Sequence, residues 1–142
     1  MKLPAFNIFG QALQSLAGLT ASTYTLTGAG AVTPRDVPIQ FLGIPQNGAP
    51  VTRYTFGESV TLAAGLTGSV CTADTAATLS TNFNIAKNGT TIGTMNFGAS
   101  STSATFAMAS SHSFIAGDVL TITPTRTDAT LANLSGYLDG TT

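Results

Sequence analysis

The single histidine, His112, lies in the stretch ASSHSF, with serines on both sides of it. Serine, histidine and a carboxylate are the parts of a hydrolytic triad, in which the imidazole takes the serine proton. Serines adjacent along a strand or turn do not face the ring, however, and the chain has no G-x-S-x-G elbow to present a nucleophile. His112 is therefore expected to be a surface or loop residue. The acidic residues Asp36, Glu58, Asp74, Asp118, Asp128 and Asp139 are scattered. Glycoside hydrolysis needs two carboxyl groups facing across the scissile bond, and calcium needs several oxygens, usually supplied by one loop. Asp118 follows Gly117, and Asp128 stands beside Thr125 and Thr127, so both are expected to be turn residues. Cys71 is the only cysteine. With no internal disulfide partner and no cation nearby to activate its thiol, it reads as a small buried apolar side chain. One cysteine and one histidine do not complete a structural zinc site. No catalytic, cofactor or metal residue is assigned, and the chain is not expected to be an enzyme.

Sugar recognition is the remaining chemistry. Tyr24, Tyr54 and Tyr137 are of a type that stacks on saccharide rings, but there is no tryptophan and no aromatic cluster. The default expectation for all three is a structural role.

Composition narrows the partners. Lys plus Arg number 5 against 6 Asp plus Glu, so the basic face that nucleic acid or an anionic membrane would require is missing. Charged residues make up 8% of the chain, against roughly 25% in ordinary proteins. Thr, Ser and Asn must keep the surface wet, and a neutral hydroxyl surface repels its own copies weakly, which suits a protein that assembles. No run approaches the roughly 20 apolar residues of a membrane span. The opening MKLPAFNIFGQALQSLAGLTAS has Lys2 followed by apolar residues, but Pro4, Asn7, Gly10 and Gln11 interrupt it, so a signal peptide is not expected.

These residues must be positioned by β-structure. From Val51 onward the pattern has a period of two, with turn signals between short runs. FNIAKNGTTIGTMNF (83–97) holds two alternating runs around Asn88-Gly89, the strongest local hairpin signal, because both central residues of a type I′ turn take positive φ. The phase slips by one residue between Ile92 and Met95, which places a β-bulge at Gly93. VTRYTF, SVTLAAGL, SATFAM, SFIAGDVLTITP and ATLANLSGYLDG supply further strands, and GSVCTADTAA reads as a small polar loop. LSTNFNIAK sets Leu79, Thr81, Phe83 and Ile85 on one face. The expected core centres on Phe56, Phe83, Ile85, Ile92, Phe97, Phe106, Phe114, Leu120 and Ile122. The fold class is all-β, an antiparallel sandwich of jelly-roll or immunoglobulin-like type with about 7–8 strands.

Residues 1–50 read differently from residues 51–142, and the domain boundary is drawn there. Phe6, Phe9, Leu13 and Leu16 recur at three- and four-residue steps, which predicts a short helix over about 5–17 in an otherwise irregular extension. That apolar face serves either as packing on its own domain or as an arm docked on a neighbouring subunit. A helix so short is marginal in water unless the face is covered. These four residues are the candidate attachment and oligomerisation site. IQFLGIPQNGAP looks like a strand leading into a turn, with Pro45 and Pro50 arguing against a central position.

The stretch from about Tyr54 to Thr141 resembles a small β-sandwich module of bacteriophage virion proteins, found in tail fibres and other surface components. The matching features are YTFGESVTL, the KNGTTIGT hairpin, SATFAM, the F-x-A-G-D-x-L-x-I turn and DATLANLSGYLDGT. The resemblance implies a structural virion component without enzymatic activity. It would be a small head decoration, head fibre or spike-like protein contacting capsid or tail proteins, and a homo-oligomer with a trimer favoured. The alternative is a tail-fibre-type module that binds a host receptor or glycan.

Overall fold

The computed structural model describes residues 34–126 and 128–142. Among them are eleven strands: β1 (Val37–Phe41), β2 (Thr52–Thr55), β3 (Val60–Leu62), β4 (Val70–Thr75), β5 (Thr81–Lys87), β6 (Thr90–Phe97), β7 (Ala104–Ala107), β8 (His112–Phe114), β9 (Val119–Pro124), β10 (Ala132–Leu138) and β11 (Gly140–Thr141). A single 3-10 turn occupies Ala64–Leu66. All pairings are antiparallel and form three sheets, ordered β2-β9-β5-β6-β7, β1-β10-β4 and β11-β3-β8. The all-β sandwich expected from the sequence is the fold observed. The strand number exceeds the expected 7–8 because β1 lies ahead of residue 51, β4 lies in the stretch read as a loop, and β11 has only two residues.

The Asn88-Gly89 hairpin forms as its chemistry dictates, with φ of 49° and 85° at the two turn residues. Beyond it, Ile85 pairs with Gly93 while Ala86 pairs with Thr91, leaving Ile92 as the extra residue of a bulge. Gly93 is required there: a Cβ would sit 2.7 Å from the Ala107 carbonyl oxygen. GSVCTADTAA is not a loop. Its Val70–Thr75 segment is β4, with Cys71 and Ala73 buried and Val70, Thr72 and Asp74 exposed. The inward residues are so small that the alternation is muted in the sequence. Leu79 is also corrected: it lies before β5 and is 56% exposed.

The core holds Phe56, Phe83, Ile85, Phe97, Phe114, Leu120 and Ile122, all buried as expected, together with Ile39, Met95, Leu131, Leu134 and Leu138. Ile92 and Phe106 pack only partly against it; the bulge turns Ile92 away from full burial. β1 pairs with β10 and buries Val37 and Ile39, so the sandwich begins ahead of the 50/51 boundary drawn from the sequence. Pro38 is tolerated because β1 is an edge strand.

The two ends of the sandwich differ. Pro34 pairs with Thr141, and Arg35 N donates to Gly140 O at 2.7 Å. This end also carries the 88–89 and 115–118 turns. The opposite end carries the loops 42–51, 76–80, 98–103 and 125–131, where Gly48 N donates to Pro124 O and Thr125 N to Asn82 O. One long side is closed by the Thr72–Ser103 bridge and by Ala73 N donating to Thr102 O. On the other side β1 and β2 flank an open groove.

Candidate functional site

The two most specific motifs of the resemblance, far apart in sequence, meet at the Pro34 end. Asn88 N donates to Val119 O and Val119 N to Asn88 Oδ1, each at 2.8 Å, and Asn88 Nδ2 donates to Asp118 Oδ1 at 2.7 Å. Lys87 Nζ reaches Asp118 Oδ2 at 2.9 Å, donates to Ser113 O at 2.7 Å, and lies 5.2 Å from the centroid of the Phe114 ring. Phe114 stacks on Phe56 with centroids 4.3 Å apart. Asp118 is the turn residue expected, accepting from Ile115 N at 3.0 Å. Hydrogen bonds from Asn88 and Ile115, with Lys87 beside it, hold its pKa down to about 2. These contacts tie the 88–89 turn to the 115–118 turn; the geometry is that of a clasp.

Asp128 is more than a turn residue. The residue is 6% exposed. Its Oδ2 accepts from Thr78 N, Thr78 Oγ1 and Leu79 N at 3.1, 2.9 and 3.0 Å. Its Oδ1 accepts from Thr130 N and Leu131 N at 2.9 and 3.0 Å. The Thr130 hydroxyl, 2.7 Å from Oδ1 and 2.9 Å from Ala76 O, shares its one proton between them. Burial alone would raise the pKa of this carboxyl. The hydrogen bonds from Thr130, Leu79 and Leu131 outweigh burial and hold it far below the usual carboxylate range. The D-A-T-L-A motif therefore ties the 125–131 loop to the 76–80 loop.

Two acids share one surface depression. Asp36 and Glu58, with Arg35, Tyr54 and Phe56, line a volume of about 630 Å³. Arg35 Nε pairs with Glu58 Oε1 at 2.6 Å, both side chains being about half exposed. Glu58 thus faces a guanidinium, and Asp36 is exposed. His112 lies on β8, with Ser110 Oγ 3.5 Å from Nε2. Cys71 is buried, and burial pushes its thiol up to about 12 against a lesser lowering from the Ser135 backbone. Among the described residues no three of His, Cys, Asp and Glu gather in a group able to hold a metal ion.

The tyrosines separate. Tyr54 packs edge-on against Phe56 at 5.0 Å. Tyr137 stands on the outer face of the three-stranded β1-β10-β4 sheet and is 37% exposed. Register places it between Pro38 and Val70. Sequence alone cannot supply these neighbours, because β4 was not recognisable as a strand. Phe6, Phe9, Leu13, Leu16 and Tyr24 lie outside the described residues, as does the predicted helix over 5–17. No helix among the described residues is long and apolar enough to cross a membrane. Comparison of the chain with protein-family models, with curated proteins and with solved structures finds no match.

Proposed function

We propose that this chain is a non-enzymatic structural component of a bacteriophage particle, a small head decoration, head fibre or spike-like protein held through its N-terminal segment. The supporting observation is the clasp: the two motifs that carry the resemblance to virion modules interlock, and their polar groups are spent on shape rather than left open for chemistry. The composition agrees. The outer face of the five-stranded sheet displays Asn82, Asn84, Thr94, Asn96, Thr121 and Thr123 with a single charge, Arg53, beside Thr121, a face suited to a subunit packed in many copies. Assembly is homo-oligomeric, a trimer by preference, through Phe6, Phe9, Leu13 and Leu16.

Two measurements test this. Sedimentation of the full chain should give three times its 14.3 kDa, and serine at Phe6, Phe9, Leu13 and Leu16 should return it to one chain. Peptides of the chain should also be found by mass spectrometry in gradient-purified particles. A monomer unchanged by those substitutions, and missing from particles, refutes the proposal. So would digestion of capsule or cell wall that is abolished by Asp36→Asn or Glu58→Gln.

A further inference from the structure

The register of the β1-β10-β4 sheet composes its outer face in rows. Pro38, Tyr137 and Val70 form an apolar row across the three strands, and Gln40, Ser135 and Thr72 form a row of amide and hydroxyls beside it. Beyond that row, Leu42, Asn133 and Asp74 close a depression of about 390 Å³ that Gln40 and Ser135 also line. We propose that this face binds a neutral oligosaccharide, with one ring on Tyr137 and the next in the depression. The proposal does not depend on the virion assignment.

The chemistry matches row by row. A pyranose has an apolar C–H face and a rim of hydroxyls, each both donor and acceptor. Tyr137 offers an aromatic side chain on a residue 37% exposed, flanked by Pro38 and by Val70 at 47%. Amides, hydroxyls and carboxylates supply the complementary donors and acceptors. Side chains two residues apart on a strand stand about 7 Å apart, so the three rows span about 14 Å, the reach of a short oligosaccharide.

The far rim is fixed in place. Gly43 N donates to Asn133 Oδ1 at 2.8 Å and Asn133 N to Gly43 O at 3.0 Å, with both residues at positive φ. This pairing holds Leu42 out at 87% exposure. Asn133 Nδ2 donates to Asp74 Oδ2 at 3.1 Å; a carboxylate accepts several hydrogen bonds, so Asp74 keeps capacity for a sugar hydroxyl. Asp74 is the one charge on these rows, which disfavours an anionic ligand. The outer face of the five-stranded sheet is a poorer match: its strands place no aromatic residue there, and Asn96 Nδ2 is already 2.6 Å from Asn82 Oδ1 and 2.9 Å from Ser80 Oγ.

The test is amide chemical-shift mapping on the ¹⁵N-labelled full chain. Maltotriose, cellotriose, mannotriose and chitotriose are each added to about 10 mM, enough to populate a millimolar complex. At least one should shift amides confined to residues 39–43, 70–74 and 133–137. Tyr137→Ala should weaken that binding about tenfold, Tyr137→Phe should preserve it, and Asp74→Asn should weaken it. Thr121→Ala, on the opposite face, should leave it unchanged. If Tyr137→Ala fails to fold, Tyr137→Phe and Asp74→Asn decide the matter. Silence on this face with all four sugars overturns the proposal. So do shifts centred on Asn82 and Asn96, or binding indifferent to both Tyr137→Ala and Asp74→Asn.

Discussion

Replacing Asp128 by alanine removes a carboxylate that five firm hydrogen bonds and one shared hydroxyl proton converge on. Four of the donors are backbone N–H groups, those of Thr78, Leu79, Thr130 and Leu131. Water can reach some of these groups in the variant, since Thr78 and Leu79 are exposed, but Leu131 is fully buried. A hydrogen bond to a charged group nets about 1.5–3 kcal/mol and a stranded buried donor costs about 1–3 kcal/mol. These contributions overlap, so the expected loss is about 3–4 kcal/mol rather than their sum. For a body of this size that lowers Tm by roughly 12–16 °C. Asp128→Asn should cost at least half as much, because whichever oxygen becomes NH2 then faces N–H donors. Urea unfolding followed by far-UV circular dichroism measures both.

The pH dependence provides an internal check. Asp128 and Asp118 have folded pKa values below the unfolded carboxylate value of about 3.9. Their contribution is complete above that value and is lost as pH falls through it toward the folded pKa. Wild type should therefore weaken steadily from about pH 5 to pH 2, and Asp128→Ala should do so less steeply, with the two curves converging in acid. An Asp128→Ala protein within about 1 kcal/mol of wild type at neutral pH, with an unchanged acid slope, would refute this account of the motif.

Gly136→Ala should destabilise by about 3 kcal/mol, because the new Cβ runs into the Val70 carbonyl oxygen and lies 2.6 Å from Cys71 Cα across the β10–β4 pairing; the same urea titration reports it. Cys71 should resist a thiol-specific disulfide reagent in the native protein and react fully once unfolded, since its thiol is buried and its pKa raised to about 12. Thr52 Oγ1 is buried and makes no hydrogen bond among the described residues. Thr52→Val should therefore be neutral or stabilise by about 1 kcal/mol, and a loss of stability would show the hydroxyl to be engaged.

Features carried by local chemistry were legible in the sequence. Asn88-Gly89 formed its hairpin, the phase slip at Gly93 marked the bulge, and Gly117-Asp118 turned the chain, because each is decided by backbone angles within a few residues. What depends on distant partners was not legible. Asp128 resembled a turn residue because its Thr78 and Leu79 partners lie about fifty positions away. β4 was hidden because Cys71 and Ala73 fill narrow inward positions with little hydrophobicity. The row Pro38–Tyr137–Val70 exists only through register, which three separated strands set jointly.

Pro34 and Thr141 lie side by side, with Arg35 bonded to Gly140 and β1 running on antiparallel to β10. A pull on residue 34 against residue 141 therefore opens the body like a zipper, loading one rung at a time from Arg35–Gly140 toward Phe41–Leu134. A pull on residue 34 against Ala132, at the far end of β10, instead runs along the two strands and loads the rungs between them together. The same brick should be mechanically soft in the first direction and stiff in the second.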